Sequence, residues 1–210
     1  MNMPKLGVII QARSGSVRLP GKVLMQIRGE SIIQRIYRLS SEVYPSVVAI
    51  PFGDSPLAMH LSDKSIPFFC GHETDVLGRY LECAKEEKLT HVIRVTGDCP
   101  MISQETLFWM GEHGLSDDYD FYSNCGTGRK SVDGEDCEFM SLAFLRWMSG
   151  TAQGSRHREH VTQYVYDRRA WIPEEFKIGF WRDTGLDMSA GKSSIDTKDE
   201  FDRIKKECEK

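Results

Sequence analysis

The sequence predicts an α/β protein: a Rossmann-like, mostly parallel sheet flanked by helices. Three observations carry that reading. Strand and helix periodicities alternate through the first 112 residues, the pattern of a sheet covered on both faces. The first run, Leu6–Gln11, is continuously aliphatic, as suits a strand buried on both sides. Helix-start signals stand where the periodicity changes, such as Ser31 with Gln34, a capping box.

The elements follow in order. After the Leu6–Gln11 strand, Ser31–Val43 places Ile32, Ile33, Ile36, Tyr37 and Leu39 on one helical stripe. Val47–Pro51 reads as a strand, Pro56–Ser65 as a helix and Ile66–Cys70 as a third strand. Asp75–Glu87 is an amphipathic helix through Val76, Leu77, Tyr80, Leu81 and Ala84. His91–Thr96 is the fourth strand, stopping at Gly97-Asp98-Cys99-Pro100, and Ser103–Glu112 is a helix with Ser103 as N-cap. Beyond Asp117 the pattern loosens. Phe121–Ser123, Asp136–Met140 and Phe176–Trp181 look like strands, Leu142–Ser149 and Arg158–Arg168 like helices, and Asp133-Gly134 marks a turn. Ser193–Asp196 reads as a closing strand, and Thr197 with Glu200 caps a last helix to about Cys208.

The 210 residues contain no internal repeat or long linker and suit a single domain. With 27 basic and 31 acidic residues the formal charge is −4, which disfavours a nucleic-acid or anionic-membrane surface. The apolar run Leu6–Ile10 is too short for a signal-peptide core or a membrane span. The six cysteines form no CxxC pair, so reduced thiols in a cytoplasmic protein are expected.

Against that acidic background the first loop is conspicuous. GVIIQARSGSVRLPGKVL puts Arg13, Arg18 and Lys22 beside Gly15 and Gly21, just past the first strand. Ligands of open α/β sheets gather at the carboxyl ends of strands. Glycine admits close backbone approach and the cations neutralise charge, so a polyphosphate would use all of these features. The plainer reading is a solvated basic loop with a Pro-Gly turn. Neither Walker A nor GxGxxG is present, since Gly15 and Gly21 enclose five residues and Val23 follows Lys22.

A polyphosphate site normally carries Mg²⁺ on one or two carboxylates. Asp98 follows HVIRVT and Asp196 ends SSID, so both belong at the sheet's carboxyl edge. Spacing alone favours a turn residue for Asp98 and helix capping for Asp196. Asp117-Asp118-Tyr119-Asp120 is a competing cluster of the DxD type used by sugar transferases, or else a solvated acidic loop. His157 and His160 have a spacing compatible with two ligands on one helix face, but no third zinc ligand is evident.

Seven ordered stretches together carry a resemblance: IIQARSGSVRLPGKVL, ETDVLGRYLECA, IRVTGDCPMI, DYDFYSN, VDGEDCEFMS, SRHREHVTQY and SIDTKDEF. The chain resembles the CTP-dependent sugar nucleotidyltransferases, specifically the cytidylyltransferases of the spore-coat polysaccharide type. More distant kin are the acylneuraminate and 3-deoxy-manno-octulosonate cytidylyltransferases. The resemblance implies a nucleotide-diphospho-sugar transferase-like domain, with residues 1–116 mainly binding nucleotide, 117–190 facing the acceptor and 191–210 closing the fold.

It also implies roles. Arg13, Arg18, Lys22 and Asp98 would be catalytic, the cations gripping the triphosphate. Gln11, Ala12, Gly15, Ser16, Arg79 and Thr96 would join them at the nucleotide. Asn124, Asp136, Glu138, Glu159 and His160 would face the acceptor, and Asp98 and Asp196 would hold Mg²⁺. The implied reaction couples CTP to an acidic sugar, giving a CMP-sugar and pyrophosphate, in a cytoplasmic homodimer. Two rival functions are a glycosyltransferase using a preformed nucleotide sugar on Asp118 and Asp120, and a non-catalytic nucleotide-binding subunit. Lys192 stands where the family's closing segment often has arginine, and the segments Gly126–Ser131 and Trp171–Gly185 have no familiar counterpart.

Overall fold

The computed structural model describes residues 3–125, 133–181 and 192–209. Gly126–Ser131 and part of the Trp171–Gly185 stretch lie outside the described residues.

Seven strands form one sheet: β1 (Leu6–Gln11), β4 (Ser46–Pro51), β5 (Phe68–Gly71), β6 (His91–Thr96), β7 (Phe121–Ser123), β8 (Cys137–Ser141) and β9 (Ile178–Phe180). Their order is β5-β4-β1-β6-β8-β7-β9. The first four neighbours pair in parallel, β8 runs antiparallel between β6 and β7, and β9 is parallel to β7. The sheet is therefore mostly parallel, as the alternation predicts.

The aliphatic continuity of β1 has the expected cause. Val8 and Ile10 join the apolar cluster on one face, and Ile9 joins the cluster on the other. The first face is covered by α1 (Ile32–Ser41), α2 (Ser55–Asp63), α4 (Gln104–Ser116) and α8 (Lys198–Glu209). The second is covered by α3 (Val76–Glu86) and α5 (Leu142–Thr151). Helix starts follow the sequence signals. Ser31 and Gln34 form a reciprocal capping box, while the Asp75 and Ser103 side chains cap α3 and α4. Thr197 and Glu200 likewise exchange bonds at the start of α8.

Three features depart from expectation. The single helix over Arg158–Arg168 is two short ones, α6 (Ser155–Glu159) and α7 (Gln163–Asp167). His160 leaves the helical region, and the buried Thr162 spends its hydroxyl on Glu138 Oε1 at 2.8 Å. Ser193–Asp196 is not a strand. Its neighbour Lys192 makes an isolated bridge to Asp133, and Ile195 N–H donates to the Asp98 carbonyl at 2.9 Å. A small hairpin, β2 (Gln26–Ile27) and β3 (Glu30–Ser31), turns at Arg28 and Gly29, both with positive φ.

All six cysteines are free. No helix among the described residues is long and apolar enough to cross a membrane.

One close contact fixes α4 against the sheet. A Cβ on Gly114 would lie 2.4–2.6 Å from ring carbons of the buried Phe139 on β8. Gly114→Ala should thus destabilise the fold by about 1–3 kcal/mol through overpacking, outweighing the ~1 kcal/mol gained in helix propensity. Chemical denaturation would contradict this if the variant's midpoint equalled or exceeded that of the wild type.

Candidate active site

The site is built where β1 and β6 end together. Gln11 and Thr96 are partners in the parallel register, so the loops after them leave one edge side by side. Gly97 permits this closeness: its N–H donates to the Gln11 carbonyl at 2.7 Å, and a Cβ there would lie 2.9 Å from that oxygen and from Ala12 Cβ. The basic loop is tied down at Ser14, whose N–H and hydroxyl both donate to Asp54, at 2.7 and 2.6 Å. Asp54 also caps α2. The loop closes through Gly21, at φ 70°, whose N–H donates to the Ser14 carbonyl at 2.9 Å. A short 3₁₀ turn, Lys22–Leu24, follows.

That turn delivers Lys22 to the middle of the site. Its side chain is only 10% exposed, and Nζ donates to Ile195 O at 2.6 Å, Asp98 Oδ2 at 2.8 Å and Asp196 Oδ1 at 3.1 Å. Asp196 Oδ1 also meets Arg18 at 2.7 Å, and its Oδ2 lies 3.5 Å from Lys192. Burial pushes the Asp98 carboxyl up, but the Lys22 charge and hydrogen bonds from Lys22 and Thr96 hold it below the ordinary aspartate range. Lys192 bonds Glu200 at 2.5 Å and, with two backbone N–H donors, brings that carboxyl down to about 2.

A cleft of about 410 Å³ opens over these groups. The structure brings Gln11, Ala12, Arg13, Ser16, Arg18 and Lys22 to its wall from the first loop. Thr96, Asp98, Asp136, His160 and Asp196 border it from elsewhere. A recess of about 90 Å³ shares Gln11, Ala12, Arg13 and His160 and is walled by Arg79 and Glu159. Arg79 is buried there and committed to backbone: Nε and Nη2 donate to the His72 carbonyl, and Nη2 also to Glu73. Burial pushes its guanidinium value down. Glu159 reaches Arg13 at 3.6 Å. Gly15 borders a neighbouring depression with Phe52 and Asp54 instead.

Asn124 and Glu138 stand apart from the cleft wall. Asn124 bonds the backbone of Glu135 and Cys137, at 2.7 and 2.9 Å. Glu138 is buried, bonded to Thr162 and, at 2.8 Å, to Arg94. Arg94 and Asp133 also border the cleft, and neither was anticipated. The available signal for Arg94 was a cation in the middle of a strand, HVIRVT. Burial pushes the Arg94 value down, but the opposed Glu138 charge outweighs that and raises it.

The other sequence clusters resolve differently. Asp120 accepts from Ser141 Oγ at 2.7 Å and Lys177 N–H at 3.1 Å, at the start of β7 and so at the sheet edge opposite the cleft. His157 pairs with Asp167 at 3.0 Å while His160 borders the cleft. Among the described residues no three His, Cys, Asp or Glu form a metal cluster. Two carboxylates meeting at one ammonium are nonetheless a hard-oxygen donor pair. That pair fits a Mg²⁺ ion completed by phosphate and water, which needs only one or two protein carboxylates.

The short helix α6 is tied to its neighbours by Arg158, which bonds Asp75 at the start of α3 and the Ser149 carbonyl in α5. Burial would raise the Asp75 carboxyl, but hydrogen bonds from Arg158 and the Gly78 N–H bring it below the ordinary 3.8. A lowered folded value contributes stability that is fully present above the unfolded value and lost as pH falls through the folded one. Asp75→Asn keeps a capping side chain and should flatten the loss of melting temperature below about pH 4. Parallel melting profiles for the two proteins would remove the ion pair from the account.

Comparison with known proteins gives the family. Residues 7–209 match the family model described as cytidylyltransferase. The chain is 28% identical over 215 residues to the spore coat polysaccharide biosynthesis protein SpsF of Bacillus subtilis, covering 94% of this chain and 83% of that protein. It is 32% identical over 111 residues to the 3-deoxy-manno-octulosonate cytidylyltransferase of Pseudoalteromonas atlantica, over 50% of this chain and 44% of that one. A solved cytidylyltransferase from Leptospira borgpetersenii superposes with a TM-score of 0.87 at 28% identity, covering 97% of this chain and 86% of that one. The chain belongs to the cytidylyltransferase family and is a nucleotidyltransferase.

Proposed function

We propose that this cytidylyltransferase couples CTP to an acidic sugar, releasing pyrophosphate and forming a CMP-sugar for surface polysaccharide synthesis. The observation that carries the reading is the Lys22 ammonium shared between Asp98 and Asp196, beneath a cleft walled by Arg13 and Arg18. In this reading residues 1–116 hold the nucleotide and 117–190 the acceptor. The family likeness further supports a homodimer working in the cytoplasm.

The acceptor hydroxyl attacks the α-phosphorus in line: a P–O bond forms, the hydroxyl proton passes to solvent, and the bond to the β-phosphate oxygen breaks as pyrophosphate leaves. Asp98 and Asp196 would hold Mg²⁺, which supplies charge neutralisation at phosphate oxygens and acidifies the attacking hydroxyl. Arg13, Arg18 and Lys22 orient the triphosphate and stabilise charge on the departing pyrophosphate. Ser16 and the Ala12 backbone border the nucleotide, and Asp136 and His160 border the acceptor. Arg79 shapes the recess by fixing the His72–Glu73 backbone. Asn124 and Glu138 would act on the acceptor indirectly, through the backbone and side chains that they hold.

The test is pyrophosphate release with Mg²⁺, four nucleoside triphosphates and a panel of acidic sugars. CTP with one acid should give release. Asp98→Asn should lower kcat by about 10²–10³, the usual loss when one electrostatic stabiliser is removed. Equal use of all four triphosphates, or an Asp98→Asn enzyme with intact turnover, would falsify the reading.

A further inference from the structure

Arg94 lies in the middle of β6 with its side chain 12% exposed, directly opposite Glu138 of β8 in the sheet register. Nη1 donates to Glu138 Oε2 at 2.8 Å. Nη2 reaches the Gln11 side-chain oxygen at 3.3 Å, beyond the usual length of an N–H···O bond. Nε is enclosed and has no hydrogen-bond partner among the described residues. A buried donor left in that state is rare and points to a partner that arrives later.

The geometry of the guanidinium narrows what that partner is. Glu138 takes Nη1, at one end of the group. The remaining edge pairs Nε–H with an Nη2–H that points the same way, a fork that matches the two oxygens of a carboxylate. The Gln11 side chain, itself on the cleft wall, lies against Nη2 and can rotate. The guanidinium is also well fixed. Glu138 is buried, its second oxygen accepts from Thr162, and β6 is paired on both sides. The cations suited to the triphosphate, Arg13, Arg18 and Lys22, come from the first loop, whereas Arg94 comes from the strand that adjoins the acceptor half. Arg94 and Asp136 border the same cleft.

We propose that Arg94 is a specificity-determining residue whose Nε–Nη2 edge receives the carboxylate of the acceptor, with Gln11 swinging aside and Glu138 holding the guanidinium in place. The inference rests on the acidic-acceptor reading given above, and it explains why a cation is placed among the aliphatic residues Val92, Ile93 and Val95 of the strand.

The experiment measures binding of 3-deoxy-manno-octulosonate and N-acetylneuraminate, and of their methyl esters, to the CTP-loaded protein by calorimetry without divalent metal, so that no transfer occurs. One acid should bind the wild type about 10- to 100-fold more tightly than its ester, the range expected for a charge-assisted bidentate contact. Arg94→Lys keeps the charge opposite Glu138 but loses the fork, and should abolish most of that acid-to-ester ratio while CTP affinity stays unchanged. If the wild type binds neither acid, the acidic-acceptor reading fails and this inference with it. If it binds an acid and the ester equally, the Arg94 assignment alone fails, and that result does not depend on the variant's folding. A fall in CTP affinity in Arg94→Lys with the ratio preserved would instead give Arg94 to the phosphates and overturn the proposal.

Discussion

The Lys22 ammonium is the contact on which the site depends. It gathers three parts of the chain that no β-ladder joins: the first loop, the turn after β6, and the segment at Ile195-Asp196. That last segment lies outside the sheet, so its position is set by side chains and single backbone bonds. Removing the ammonium would leave Asp98, largely enclosed, facing Asp196 with no cation between them. Breaking such a pair by deleting one partner is costly because a desolvated charge is stranded, even where the intact pair adds little net stability. The same ammonium holds the Asp98 carboxyl below the ordinary aspartate range. Stability and chemistry are therefore coupled through one side chain.

The sheet makes the arrangement possible. Parallel pairing of β1 with β6 brings two loops to one edge, and Gly97 lets them touch. The antiparallel β8 then places Glu138 across from Arg94, so the junction between the parallel and antiparallel parts of the sheet is crossed by a charged pair. Above it, Thr162 ties the break between α6 and α7 to Glu138, and that break is what turns His160 toward the cleft. A continuous helix there would commit its backbone to the α-helical ladder and give Thr162 no reason to be drawn down onto a buried carboxylate.

Much of this was legible from the residues. The boundaries of β1, β6 and β7, the caps at Ser31, Ser103 and Thr197, and the cationic loop at the sheet's carboxyl edge all follow from local rules. What escaped depended on distant partners. Nothing in SRHREHVTQYVYDRR marks Thr162 as the point where a helix breaks, because the cause is a carboxylate 24 residues earlier in the chain. Asp98 and Asp196 looked like a turn residue and a cap by spacing, and only resemblance raised them, since their shared lysine lies 76 and 174 residues away. Glu138 and Asn124 were placed in segments facing the acceptor by the family resemblance alone. In the structure their side chains bond Arg94, Thr162 and backbone groups, contacts that the sequence does not mark.

The charge pattern of the cleft now has a physical sense that a net charge of −4 conceals. Arg13 faces Glu159, Arg18 and Lys22 face aspartates, and Arg94 faces Glu138. Each cation is held in place by a carboxylate, so the folded chain does not carry a cluster of unpaired positive charge whose self-repulsion would work against folding. The pairs differ in how easily they can be exchanged. Arg13 and Arg18 are more than half exposed, where ion pairs are weak and screened, and can turn to an incoming polyanion at little cost. Lys22 and Arg94 are nearly enclosed and keep their partners: all three Lys22 donors are engaged, while Arg94 retains its Nε–H. The exposed pairs thus suit capture of the nucleotide, and the enclosed ones suit fixing the two reactants against each other.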